Sequence, residues 1–191
     1  AHSLPDAKDQ AMNAPLQGHQ PDTDYASVVA PQTVRLQRLL PGPIERVWDY
    51  LTDSELRRQW LAAGEMQPAV GSGFTLTWRN SELTDPPGRK PDGFGDEHRM
   101  DSAITVFDPP HRLAFTWGGG DVTFALEPQG TQVLLTVTHR GISDRNNLLM
   151  IGAGWHQHLD TLVARARGVA PGPFWDGWTR LRAEYEQRIP A

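Results

Sequence analysis

The sequence predicts an α+β protein, a curved antiparallel sheet wrapped around one long C-terminal helix, with an extra helix at the very end. Three observations predict it. Apolar residues alternate in runs separated by glycine- and proline-rich turns between positions 71 and 141, which is the pattern of half-buried strands. From Asp144 to Arg167 the apolar period becomes helical, and after the break Pro171-Gly172-Pro173 a second helical stripe follows. Strands joined by short turns, followed by helices, mean an antiparallel sheet and not repeated βαβ units.

The whole chain sets limits on function. Its 191 residues suffice for one domain with a sizeable core. A formal charge of −5 and the lack of a basic stripe exclude a nucleic-acid surface. There is no cysteine, so disulfides, thiolate catalysis and zinc–sulfur sites are out. No apolar run approaches the roughly 20 residues of a membrane span, and the N-terminus lacks a signal-peptide layout. A cytoplasmic location is therefore the expectation. Seven tryptophans are the largest apolar groups available, each burying on the order of 200 Å² when enclosed.

Residues 1–31, rich in Pro, Asp, Gln, Ala and His, read as a disordered lead-in. Met12 looks like a natural start, with the first eleven residues as added sequence. The domain proper is expected over 32–168 and a helical extension over 169–191. In TVRLQRLL, from Thr33, alternation at Val34 and Leu36 suggests a first strand. Pro43 opens a helix in which Ile44, Val47, Trp48 and Leu51 share a face. Thr52-Asp53-Ser54 ends it and caps a second short helix, ELRRQWL, closed by Trp60.

Phe74, Leu76 and Trp78 alternate in the next strand, which precedes a proline-glycine loop. Phe94 to Phe107 reads as a long strand stopped by Asp108-Pro109-Pro110. Leu113, Phe115 and Trp117 share a face, Gly118-Gly119-Gly120-Asp121 turns, and Val122, Phe124 and Leu126 alternate after it. Val133, Leu135, Val137 and His139 line one side of the last strand. In the long helix Trp155, Leu159, Leu162 and Ala166 fall at 0, 4, 7 and 11, an amphipathic stripe. Gly152 and Gly154 weaken it by about 1 kcal/mol each and are expected to permit a close approach. Phe174, Trp178, Leu181 and Tyr185 repeat the spacing in the final helix, with Trp175 beside them.

Several segments then carry a resemblance: PIERVWDYLTDSELRRQW, FDPPHRLAFTW, LLTVTHRG, GWHQHLDTLVARARG and PFWDGWTRLRAEYE. Over roughly residues 33–188 the chain resembles the SRPBCC (START-like) superfamily, in the branch related to the C-terminal domain of the activator of Hsp90 ATPase (AHSA1-like). It departs in the long, proline-rich stretch 79–95 and in the glycine-heavy turn at 118–120. The resemblance implies the helix-grip (START/Bet v1-like) fold and a pocket between the sheet and the long helix. It implies no reaction, since lipid carriers, cyclases, receptors and co-chaperones share the scaffold.

The first candidate site is apolar. Phe74, Leu76, Trp78, Met100, Phe115, Trp117, Phe124 and Val137 from the sheet, with Trp155, Leu159 and Leu162 from the helix, are placed to enclose a ligand. The competing reading is that these rings fill the space themselves. His139 ends an apolar alternation and His98 falls on the side of Met100. Either can hydrogen-bond a ligand or move protons, or can be an ordinary strand residue. His156 and His158 are about 200° apart on a helix and do not converge on a metal. Of Asp96 and Glu97 at most one can look inward. No Ser-His-Asp set or phosphate-cradling loop is present, so no cofactor is expected.

Three functions compete. The favoured one is a non-enzymatic binding protein for a lipid- or polyketide-like apolar molecule. The second is a cyclase- or aromatase-like enzyme using His98 or His139. The third is an Hsp90-type co-chaperone, disfavoured because about 32 residues before Thr33 leave no room for the separate N-terminal domain of the Hsp90 activator. Trp175 and Trp178 are expected to pack on the parent domain, with a homodimer interface as the alternative.

Overall fold

The computed structural model describes residues 23–190; the earlier part of the lead-in, Met12 included, lies outside the described residues. Among these, seven strands form one antiparallel sheet: β1 (Ser27–Ala30), β2 (Thr33–Pro41), β3 (Gly73–Trp78), β4 (His98–Asp108), β5 (Arg112–Trp117), β6 (Gly120–Gln129) and β7 (Gln132–Arg140). Their order across the sheet is β1-β2-β7-β6-β5-β4-β3. From β3 to β7 every connection is to a spatial neighbour. Helices α1 (Ile44–Thr52) and α2 (Ser54–Arg57) lie between β2 and β3, and α3 (Arg145–Arg167) and α4 (Phe174–Arg188) follow β7. This is the helix-grip α+β fold.

Two strand boundaries differ from the sequence reading. The lead-in does not stay irregular up to residue 31: Ser27–Ala30 pair with β2 as an exposed edge strand. Its residues show no buried face, so alternation gave no signal. The strand expected from Phe94 starts only at His98, because Phe94 turns away to pack on α4. α2 is likewise a single turn, although Asp53 caps it as expected, its carboxylate accepting the Leu56 N–H at 3.0 Å.

The core is built as the alternation demands. Leu36 and Leu40 of β2, Leu76 of β3, Phe115 of β5, Phe124 of β6 and Leu135 and Val137 of β7 form one buried cluster with Trp155, Leu159, Leu162 and Ala166 of α3. Arg57 is buried here too. Its guanidinium donates to the carbonyls of Leu51, Ala62 and Gly64. It thereby ties the α1–α2 corner to the chain entering β3, and burial lowers its pKa to about 10. Gly168, with φ +70°, supplies the left-handed residue that stops α3.

α4 packs against the opposite side of α3. Leu149 and Ala153 meet Leu181, Tyr185 and Ile189, and Arg145 donates to carbonyls at and just beyond the end of α4, those of Glu186, Ile189 and Pro190. The proline-rich stretch after β3 is fastened to the other end of α4. Thr84 Oγ1 accepts the Phe174 N–H at 2.9 Å, Trp175 Nε1 donates to Ser81 Oγ at 3.0 Å, and Leu83 packs with both rings. Trp175 is therefore covered by its own chain. No described helix is long and apolar enough to cross a membrane.

Candidate functional site

A cavity of about 230 Å³ opens between the N-terminal half of α3 and the β3–β5 end of the sheet. Trp78 and Trp117 form its sheet side and Trp155 its helix side. The three rings are in contact, with Trp117 at 5.1 Å from Trp78 and 5.4 Å from Trp155. Leu61 closes one end, and Phe94 and Trp178 form an outer wall, their rings edge to face at 5.1 Å.

From α3 come Asn147, Met150, Ile151, Gly154 and His158. Positions 147, 151, 154 and 158 fall at 0, 4, 7 and 11, so they make a second stripe. At 3.6 residues per turn it is rotated by roughly 80° from the core stripe. A side chain at Gly154 would meet nothing within 4 Å, and this missing side chain helps to keep the cavity open. Gly152 does approach a neighbour: a Cβ there would lie 3.7 Å from the Tyr185 ring.

The remaining expected lining residues are placed elsewhere. Phe74, Phe115 and Phe124 pack ring against ring, at 5.3 and 5.7 Å. With Leu76, Val137, Leu159 and Leu162 they belong to one buried core cluster in the grip. Met100 is half-buried against the same cluster. The open space is thus nearer the rim than the alternation suggested.

The two histidines singled out from the sequence do not line the cavity. His98 is exposed on β4 beside Trp78. His139, 2% exposed, sits behind Trp155, whose indole Nε1–H donates to its Nδ1 at 2.9 Å. Burial pushes its pKa down to about 4. His158 is the histidine at the cavity. Its Nδ1 lies 2.8 Å from the Trp60 carbonyl oxygen and its ring packs at 4.9 Å from Phe174. Burial, opposed in part by that carbonyl, pushes it down to about 4.

His156 lies on the far side of α3 in a different cluster. Its Nδ1 is 2.9 Å from the Tyr185 hydroxyl, which also accepts the Ala26 N–H at 2.6 Å. Its Nε2 faces Asp160 at 3.4 Å, and Asp160 in turn meets the buried Arg38 at 3.2 Å. Burial opposes ionising Asp160, but His156 and Arg38 outweigh it and hold the carboxyl below its ordinary range. Arg38 also donates to the Asp24 carbonyl at 2.7 Å, so this cluster fastens the N-terminal segment. Asp96 and Glu97 are at the surface, paired with Lys90 and Arg79.

A larger, polar cleft of about 360 Å³ lies on the other side of Leu61, among Glu55, Arg58, Arg79 and Glu82. Charged side chains dominate its lining, and its Arg58 is already paired to Glu55 at 2.7 Å. The aromatic cavity has the more apolar lining of the two and so matches an apolar ligand better.

Sequence and structure comparisons agree on relatedness. A protein from Bordetella parapertussis encoded by gene BPP1335, solved by NMR, is similar at 36% identity over 92% of each chain, with a TM-score of 0.73. CalU16 from Micromonospora echinospora shares the fold at 20% identity over 82% of this chain and 84% of its own, TM-score 0.58. DynU16, a protein in the dynemicin biosynthetic locus, does so at 18% identity over 73% of this chain and 49% of its own, TM-score 0.58. No curated protein matches the chain in sequence. The family model described as "Activator of Hsp90 ATPase homolog 1-like protein" matches residues 41–167, from the end of β2 to the end of α3. The grip of sheet on helix and this match together make the chain a member of the activator of Hsp90 ATPase homolog 1-like family, an SRPBCC-type group.

Proposed function

We propose that this protein binds a small apolar, ring-containing molecule in the cavity between α3 and the sheet, and carries no reaction of its own. The observation that carries this reading is the cavity itself: about 230 Å³, walled by Trp78, Trp117, Trp155, Phe94 and Trp178. A cavity of roughly 150 Å³ lined by aliphatic and aromatic side chains takes up benzene, so this one suits a ligand of about two rings and not an extended lipid chain. The polyketide-like half of the expectation fits that size better than the lipid-like half.

The cyclase-like alternative relied on His98 or His139 as the proton carrier, and neither lines the cavity. The co-chaperone alternative has no described surface feature in its favour.

The experiment is a titration of intrinsic tryptophan fluorescence with a panel of one-, two- and three-ring compounds. Three of the seven tryptophans touch one another at the cavity, so occupancy changes their emission. Saturable change that peaks with two-ring compounds supports the reading. A flat response across the whole panel removes it.

A further inference from the structure

We infer that the ligand is uncharged and carries a hydrogen-bond donor, a hydroxyl or N–H, which it gives to Nε2 of His158. The inference rests on the binding role proposed above and adds to it the chemistry of the ligand.

Three observations lead there. The first is the fixed tautomer of His158. A carbonyl oxygen only accepts, so the 2.8 Å contact with Trp60 O puts the ring proton on Nδ1. The neutral ring is then left with a lone pair on Nε2. No group among the described residues bonds that nitrogen, and the residue lines the cavity. Burial, which pushes the ring's pKa down to about 4, keeps it in that form at neutral pH.

The second is the absence of charge. Among the described lining residues there is no Asp, Glu, Lys or Arg. A carboxylate or ammonium entering this space loses its water without gaining a counter-ion, which costs several kcal/mol.

The third is that the donors of the two indoles beside His158 are committed to other acceptors. The Trp155 indole N–H goes to His139 at 2.9 Å and the Trp60 indole N–H to Tyr50 O at 2.9 Å. At the other polar end of the cavity, the Asn147 amide gives one of its two N–H groups to Ser143 Oγ at 2.7 Å, and its carbonyl oxygen is a second acceptor. Eleven residues of helix separate Asn147 from His158, about 16 Å, so a two-ring ligand reaches one acceptor at a time. His158 is the more deeply buried of the two, and a hydrogen bond there is the better shielded from water.

The test uses four two-ring probes at neutral pH, followed by calorimetry: naphthalene, 2-naphthol, 2-methoxynaphthalene and 2-naphthoate. Methylation removes the donor while keeping the oxygen, and naphthoate adds a charge. The expected result is that 2-naphthol binds about tenfold tighter than 2-methoxynaphthalene, and that 2-naphthoate binds more weakly than naphthalene. In His158→Phe the preference for 2-naphthol collapses to near unity while naphthalene still binds. Because that variant also loses the bond to Trp60, a second measurement uses the unmodified protein. The imidazole nitrogen resonance of His158 Nε2 should move with 2-naphthol and stay in place with 2-methoxynaphthalene. Equal affinities for the hydroxy and methoxy probes, or a preference that survives in His158→Phe, overturn the inference and leave the binding role intact. If even naphthalene gives no heat, the binding role fails and the inference with it.

Discussion

The indole Nε1–H of Trp155 donates to Nδ1 of His139 at 2.9 Å, across the seam between α3 and β7. Both side chains are almost wholly buried. His139→Leu therefore leaves the indole donor unmet and should cost about 1–3 kcal/mol. His139→Gln, whose carbonyl oxygen can take the same proton, should recover much of that loss. Urea unfolding of the three proteins checks it, and a leucine variant as stable as the parent would contradict it.

Gly154 makes the opposite kind of site. It lies mid-helix with open space where its side chain would be. Replacing it gains helix propensity of about 1 kcal/mol, while a large side chain fills the cavity. Gly154→Leu should raise the melting temperature or leave it unchanged, and weaken apolar ligands by on the order of tenfold or more. Unchanged ligand affinity in this variant would move the binding site elsewhere.

Acid should weaken the fold earlier than carboxylate protonation alone would. His139 and His158 are lowered from 6.5 to about 4 by burial. The unfolded chain takes up protons that the folded chain refuses, so stability rises with pH in this window. Their contribution is complete above pH about 6.5 and is lost as pH falls toward 4. Fully expressed, that gap corresponds to roughly 3 kcal/mol per ring. Denaturation midpoints between pH 7.5 and 4.5 should fall, and fall less steeply in His139→Gln. A flat profile would show that these rings do not resist protonation.

Two tyrosines at the N-terminal segment should differ sharply. Tyr185 OH is buried and bonds both Ala26 N and His156 Nδ1, whereas Tyr25 OH bonds Glu184 at 2.6 Å near the surface. Tyr185→Phe strands the half-buried Ala26 N–H and the buried His156 ring nitrogen, and should cost about 1–3 kcal/mol. It should also speed hydrogen exchange at Ala26–Ala30. Tyr25→Phe should cost less than about 1 kcal/mol. Equal effects would mean that the buried hydroxyl is not the hub of this cluster.

What the sequence made legible followed from periodicity. Alternation at Phe74, Leu76 and Trp78, and the stripe from Trp155 to Ala166, placed the sheet and its helix on each other. The meeting of Trp78, Trp117 and Trp155 was legible from the same pattern. What was hidden depends on contacts distant in the chain. Phe94 reads as a strand start because nothing local shows that it will pack on Trp178. His158 sits in a stripe with Asn147, Ile151 and Gly154 that is only half apolar, and so is masked by its stronger neighbour at Trp155. His139 reads as a pocket residue because its partner, the Trp155 indole, satisfies it from another element.

The outer wall of the cavity, Phe94 and Trp178, belongs to segments outside the sheet-and-helix grip. Trp178 lies beyond the residues that match the family model, and Phe94 lies in the stretch where the chain departs from the resemblance. The shared scaffold supplies the floor and the permanence, while these two rings set the breadth and accessibility of the chamber. Exchange of Phe94 or Trp178 would therefore reshape the mouth of the chamber while leaving the contacts between sheet and α3 in place.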